Sequence, residues 1–172
     1  MANYYLMRIL RQGVTGGNKC WLLCFVAMVT GISFLPACAS SGGDVVNETG
    51  VTSVTLPNGK KIIAEAARTQ LDLLRGLMFR DSMPAGRGML FTHPDEGIYH
   101  YWMYQVKFPL DIIWMDHDHR IVEMSLRTPP CPSKSARECP NFGGNFRSRF
   151  VLELNAGVAE TNQLTVGQEL VF

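Results

Sequence analysis

The chain has 172 residues, 47% of them hydrophobic and 18% charged, a globular composition long enough for one domain with a core of its own. Its formal charge of +1 conceals an asymmetry, because Arg8, Arg11 and Lys19 precede residue 20 while every Asp and Glu follows residue 40. Setting those three aside leaves 13 of the 16 basic residues against 15 acidic ones, a body of about −2, which argues against nucleic acid as a partner because phosphate binding needs clustered positive surplus.

The chain opens like an export signal over residues 1–37: a basic region ending at Lys19, the apolar run WLLCFVAMVTGISFL from Trp21 to Leu35, and the small-residue site Pro36-Ala37-Cys38. Fifteen apolar residues are short for a spanning helix and suit a signal core. Leu35-Pro36-Ala37-Cys38 resembles a bacterial lipobox, in which the cysteine carries lipid, with Pro36 departing from the usual pattern. An ordinary cleaved signal or an uncleaved anchor is the alternative. With Ala39 next to Cys38 no inner-membrane retention signal follows, so a lipidated chain is expected on the periplasmic side of the outer membrane. Residues 38–50 are small and polar and read as a tether, leaving 51–172 as a single globular domain.

In that domain VTSVTL, Pro57-Asn58-Gly59 and KKIIAEAA predict a β-hairpin, since Asn-Gly supplies the positive φ angles of a tight turn. Thr69 is an expected helix N-cap, and Leu71, Leu74, Leu77 and Met78 recur at helical spacing, predicting one short helix over 69–78. Six apolar runs follow: GMLF (88–91), IYHYWM (98–103), LDIIWM (110–115), RIVEMSL (120–126), FVLEL (150–154) and ELVF (169–172). Together they predict an α+β domain, mostly antiparallel, as a barrel or sandwich with one short helix. Parallel winding is not expected, for want of helical crossovers. LDIIWM is apolar on both faces and predicts a central strand, with Asp116-His117-Asp118-His119 as the turn behind it. Of five cysteines, only Cys131 and Cys139 fall in the body. In an exported protein they read as a disulfide closing a Pro- and Ser-rich loop.

The series GLMFRDSMP (76–84), GMLF (88–91), YWMYQVKFPLDIIWMD (101–116), RIVEM (120–124) and VLELNAG (151–157) resembles the prokaryotic family called domain of unknown function 192. The resemblance covers about Val51 to Phe172 and implies a compact β-rich domain with one or two helices, often exported. It implies no established activity. Relatives usually carry Asn at the position of Gln105 and often Gly at the position of His119, so His119 is asked to adopt a conformation that glycine takes more easily.

Several residues offer chemistry. Asp111, on the expected central strand with Lys107 four residues before it, is a candidate general acid or base, with His100 as a partner. Equally, it is a pin accepting backbone N–H groups of the Lys107-Phe108-Pro109 bend, because an unpaired buried carboxylate is costly. Trp102 and Met103 are either a stacking floor for a ligand or core. Arg80 and Arg87 flank the turn at Met83-Pro84 and are either an anion clamp or surface ion-pair members. His93, Asp95, Glu96 and His100, and the 116–119 turn, lack the spacing of a strong metal site, so no metal or cofactor is expected. The expectation is a membrane-tethered binding or accessory domain of the envelope, using Trp102, Gln105, Lys107 and Arg80 toward a small molecule or envelope protein. A small hydrolase or metal-dependent enzyme built on Asp111 and a nearby His is the alternative.

Overall fold

The computed structural model describes residues 50–172. The expected signal peptide, Cys38 with its lipid, and all but the last residue of the tether lie outside the described residues. Among the described residues no helix is long and apolar enough to cross a membrane.

Strands β1 (Val51–Thr55) and β2 (Lys61–Ala67) form the expected antiparallel hairpin, with Gly59 at φ 83° in the turn. Helix α1 spans Gln70–Arg75. Thr69 caps it by accepting from the Asp72 amide, while the Asp72 carboxylate accepts from the Thr69 amide, a reciprocal pair that satisfies two otherwise orphaned groups. The helix stops short of residue 78 because Gly76 turns to φ 45°, where a Cβ would lie 3.1 Å from the Phe91 ring. That early stop sends Leu77 into the core and leaves Leu71 and Leu74 facing solvent, 68% and 64% exposed.

The crossover through α1 returns the chain to β3 (Arg87–Gly97), which pairs with β2 in parallel. This corrects the expectation that parallel pairing is absent: the 19 residues between the strands exceed the dozen or so a crossover needs, with only a six-residue helix among them. All other pairings are antiparallel. β5 (Leu110–Met115), β6 (Ile121–Thr128) and β8 (Ser148–Asn155) complete a six-stranded sheet of order β1-β2-β3-β8-β5-β6. β4 (Tyr101–Trp102) and β7 (Asn141–Phe142) make a separate two-stranded ribbon. The expected strand at 98–103 therefore shrinks to two residues, as the Tyr99 carbonyl is taken by the Trp114 indole N–H instead of a ladder.

The C-terminal run ELVF is not a strand. It makes one bridge toward each edge of the sheet, Thr55 with Val171 and Arg120 with Glu169. The sheet thus curls without closing: the domain is a sandwich-like α+β fold, not a closed barrel. A second short helix, α2 (Val158–Thr161), adds to the single one expected.

Apolar residues cover both sheet faces. On one face Val54, Ile62, Leu90, Ile113, Leu152 and Leu154 pack with Ala159 of α2 and Leu170. On the other, Met89, Phe91, Ile112, Trp114 and Val151 pack under Leu77, Met83, Met103 and Val106. β5 is buried at all six positions, as a strand apolar on both sides requires. The 116–119 turn forms as expected, with Asp116 Oδ1 accepting from the amides of Asp118 and Arg120 and His119 at φ 62°. Cys131 and Cys139 are disulfide-bonded.

Candidate functional site

Two loops meet on the second sheet face. The α1–β3 loop carries Phe79, Arg80 and Asp81; the β4–β5 loop carries Gln105 and Lys107. The Phe79 amide donates to the Gln105 carbonyl at 2.8 Å, and both residues sit at positive φ, 66° and 57°. Left-handed backbone at a bulky non-glycine residue is held only by surrounding structure and gathers at functional sites. Lys107 Nζ pairs with Asp81 at 2.6 Å, and Arg80 makes a two-pronged bond to Glu65 at the end of β2, 2.6 and 2.7 Å. Of the four expected binding residues, Gln105 and Lys107 thus tie these loops together, and Arg80 ties the α1–β3 loop to β2. Two of them have their charge already paired.

The fourth, Trp102, is half-buried and lines a hollow of about 30 Å³ with Leu73, Leu74, Met78, Tyr101 and Val106. Beside it, a wider cleft of about 280 Å³ runs between the end of β2, α1 and Phe79. Arg75, Gly76 and Met78 line both. Glu153 of β8 reaches the hollow from the sheet. It is 4% exposed, flanked in register by Met89 of β3 and Ile112 of β5, and its Oε2 has no hydrogen-bond partner. Burial pushes its carboxyl up to about 8, against a smaller opposing pull from Arg80. At neutral pH it is mainly a neutral acid, because a charge cannot be stabilised where only apolar atoms solvate it.

Behind the hollow, Tyr101 and His93 form a second polar pair, with Tyr101 Oη 3.1 Å from His93 Nε2. Burial holds the phenol protonated and pulls the imidazole down to about 4. The pair is therefore neutral, with the phenol assigned as donor and Nε2 as acceptor. The His93 ring stacks on Tyr99 at 3.5 Å.

A family model described as DUF192, Uncharacterized ACR, matches residues 53–172. The chain belongs to the DUF192 family. Two solved structures share the fold. One is a protein of unknown function from Novosphingobium aromaticivorans DSM 12444, with a TM-score of 0.61 and 25% identity over 83% of this chain and 100% of that one. The other comes from Sinorhizobium meliloti 1021 and is provisionally described as a transcription regulator, with the same TM-score and identity over 69% of this chain and 89% of that one. No curated protein matches the chain.

Within this DUF192 domain the two catalytic candidates are not brought together. Asp111 is fully buried on the face opposite Glu153. Its Oδ1 accepts from the Arg127 amide and its Oδ2 from the Ala159 amide, both at 2.8 Å. It is a pin, but between the end of β6 and the start of α2, not across the 107–109 bend, where Pro109 has no N–H to donate. His100 is exposed and bonds through Nδ1 to the Gly143 carbonyl. Among the described residues, no group of three or more His, Cys, Asp or Glu side chains converges as a metal cage would require. His117 instead meets Glu96 and Asp118, and His119 stacks on Phe172.

Sequence reasoning passed over Glu153. The signal was present: FVLEL places one carboxylate between leucines in a run otherwise apolar, the same anomaly that drew attention to Asp111.

Proposed function

We propose that this DUF192 chain is an exported, membrane-tethered binding or accessory domain of the cell envelope. Its binding surface is the face made by α1, the α1–β3 loop and the 104–107 bend. The observation that carries the reading is Glu153, a buried carboxyl with an unpartnered oxygen at a hollow. Natural cores leave few such groups, and each calls for an explanation. Exposed Leu74 lines the hollow and exposed Phe79 the neighbouring cleft, with exposed Leu71 on the same helix as Leu74, giving a partner apolar area to cover. Export and tethering are supported by the signal-like residues 1–37, Cys38 and the polar stretch after it. The transcription-regulator description of the Sinorhizobium protein is not carried over, because a body near −2 offers no surplus of positive charge to phosphates.

The test uses the full chain in cells, with a photoreactive phenylalanine analogue at Leu74, at Phe79, or at the equally exposed control Val166. A discrete adduct at 74 and 79 and none at 166, on a chain that external protease digests in spheroplasts, is the expected result. Adducts independent of position, or a chain shielded inside the cytoplasm, would refute the reading.

A further inference from the structure

We propose that the hollow at Glu153 is a binding site for the primary ammonium group of an alkylamine, with the alkyl stem lying over Leu74 and Trp102. The inference deepens the binding reading above and rests on it. Three features select this chemistry.

The walls come first. Leu73, Leu77, Met78, Phe91, Trp102 and Val106 supply no hydrogen-bonding side-chain group apart from the Trp102 indole N–H, the Tyr101 hydroxyl is engaged with His93, and the one other charged side chain that lines the hollow, Arg75, is solvent-exposed. A sugar or another ligand with many polar groups would leave most of them unpaired there, at a cost of several kcal/mol. A lone water fares little better, because a buried water needs about two to four polar partners. A ligand with one polar head and an apolar stem meets the buried unsatisfied oxygen of Glu153 and leaves no further polar group of its own unpaired.

The sign of the head follows from Glu153. Its unpartnered Oε2 is an acceptor, and the group that gains most from a desolvated carboxyl is a cation, since charge-assisted hydrogen bonds are roughly twice as strong as neutral ones. Phe91, Tyr101 and Trp102 add aromatic side chains, which favour cations over anions. Size then narrows the class. A hollow of about 30 Å³ takes a water-sized group, which suits –NH3⁺ better than the bulkier guanidinium or trimethylammonium.

Binding is coupled to a proton. The ammonium pairs with the ionised carboxylate, so on binding Glu153 releases the proton it otherwise keeps near neutrality. The charged or titratable groups facing it are Arg80 from the α1–β3 loop, Arg75 from α1 and Tyr101 from β4, while β3 and β5 present Met89 and Ile112. Arg80 is already paired with Glu65, which limits its repulsion of a second cation. Below the Glu153 titration, affinity is expected to rise about tenfold per pH unit.

Calorimetric titration of the full-length chain in a non-ionic detergent, in two buffers of different ionisation enthalpy, tests this. The probes are n-butylamine, n-butanol, butylguanidine and N-acetyl-lysine methylamide; the last separates a lysine side chain from a free amine as the source. We expect butylamine to bind with proton release, about tenfold more tightly at pH 7 than at pH 6, and the alcohol and the guanidine to bind at least tenfold more weakly. Glu153→Gln should abolish both the binding and the proton release. Val106→Phe, which fills the hollow and leaves the carboxyl in place, should abolish the binding too. Equal binding of amine and alcohol without proton exchange overturns the ammonium assignment. So does unchanged amine binding by the folded Val106→Phe chain, or no amine binding by the native one. If the position-dependent adducts at 74 and 79 persist in such a case, only the ligand class has failed; if they too are missing, the binding surface itself has failed.

Discussion

Replacing Glu153 with Gln should change how the fold depends on pH. Burial holds the carboxyl near 8 instead of 4.5. Below 4.5 both the folded and the unfolded chain keep the proton, and the side chain adds no pH dependence. Between 4.5 and 8 the unfolded chain gives up a proton that the folded chain retains, so stability falls steadily as pH rises, then levels off above 8. Each pH unit of that interval is worth about 1.4 kcal/mol, so the whole interval amounts to about 5 kcal/mol, of which about 4 lies between pH 5 and pH 8. Glutamine has nearly the same shape and does not titrate. The stability difference, variant minus native, should therefore grow by about 4 kcal/mol from pH 5 to pH 8. Urea unfolding followed by tryptophan fluorescence at pH 5, 6, 7 and 8 measures it, and groups common to both proteins, His93 among them, cancel in the difference. Parallel pH profiles would show that Glu153 is solvated or partnered in the folded chain, and the argument built on it would fall.

Four further outcomes are expected. His93 has its imidazole pulled down from 6.5 to about 4, so as pH falls through that window the unfolded chain takes up a proton that the folded chain refuses. That costs up to about 3 kcal/mol, and His93→Phe should flatten the acid limb of a melting-temperature profile between pH 7 and pH 4.5; an unchanged limb would refute the burial argument. Asp111→Asn presents an NH2 group to one of the two amides that the carboxylate accepts and should cost about 3 kcal/mol in chemical denaturation, whereas native-like stability would reopen a chemical role for this residue. Reducing the Cys131–Cys139 bond, which closes a loop of about nine residues, should lower stability by roughly 2.5 kcal/mol; equal unfolding midpoints with and without reductant would contradict this. Cys38→Ser should abolish metabolic labelling by palmitate and move the chain out of the membrane fraction, and persistent labelling would place the lipid elsewhere.

How far the fold could be read from the sequence followed how local each signal was. Asn58-Gly59 and the Thr69 cap act within a few residues and placed the hairpin and the start of α1. The apolar alternation of LDIIWM assigned Leu110, Ile112 and Trp114 to one side and Ile113 and Met115 to the other, and the two packed faces divide in that way. What could not be read depended on distant partners. The 98–103 run has strand composition, but its Tyr99 carbonyl accepts from Trp114, its Met103 carbonyl accepts from the Val106 and Cys131 amides, and its ladder partner is the two-residue β7. The parallel pairing of β2 with β3 comes from a crossover with too little helix to stand out. At the site, Arg80, Gln105 and Lys107 do converge on one pair of loops, while their ion-pair partners Glu65 and Asp81 lie 15 and 26 residues away. Family resemblance did mark Gln105 and His119 as unusual. The backbone gives the reason, since both hold left-handed conformations that Asn and Gly adopt more readily.

Asp111 and Glu153 together show why residue type and burial do not by themselves identify a site. Both carboxyls sit on central strands of one sheet, nearly side by side, with Asp111 in register with Leu154 and Ile112 with Glu153. They point to opposite faces. Asp111 meets two amides from β6 and α2 that would otherwise be orphaned, and its charge is consumed in holding those elements to the sheet. Glu153 has no such partner: the α1–β3 loop brings the side chains of Leu77 and Met78 to the same hollow, and Oε2 accepts no hydrogen bond. Carboxyls in such surroundings destabilise a fold across the neutral range, by about 1.4 kcal/mol for each pH unit they are held away from ionisation. A leucine there would be an apolar alternative without that penalty. The presence of Glu153 between Leu152 and Leu154 is therefore better explained by something that enters the hollow than by anything the fold itself requires.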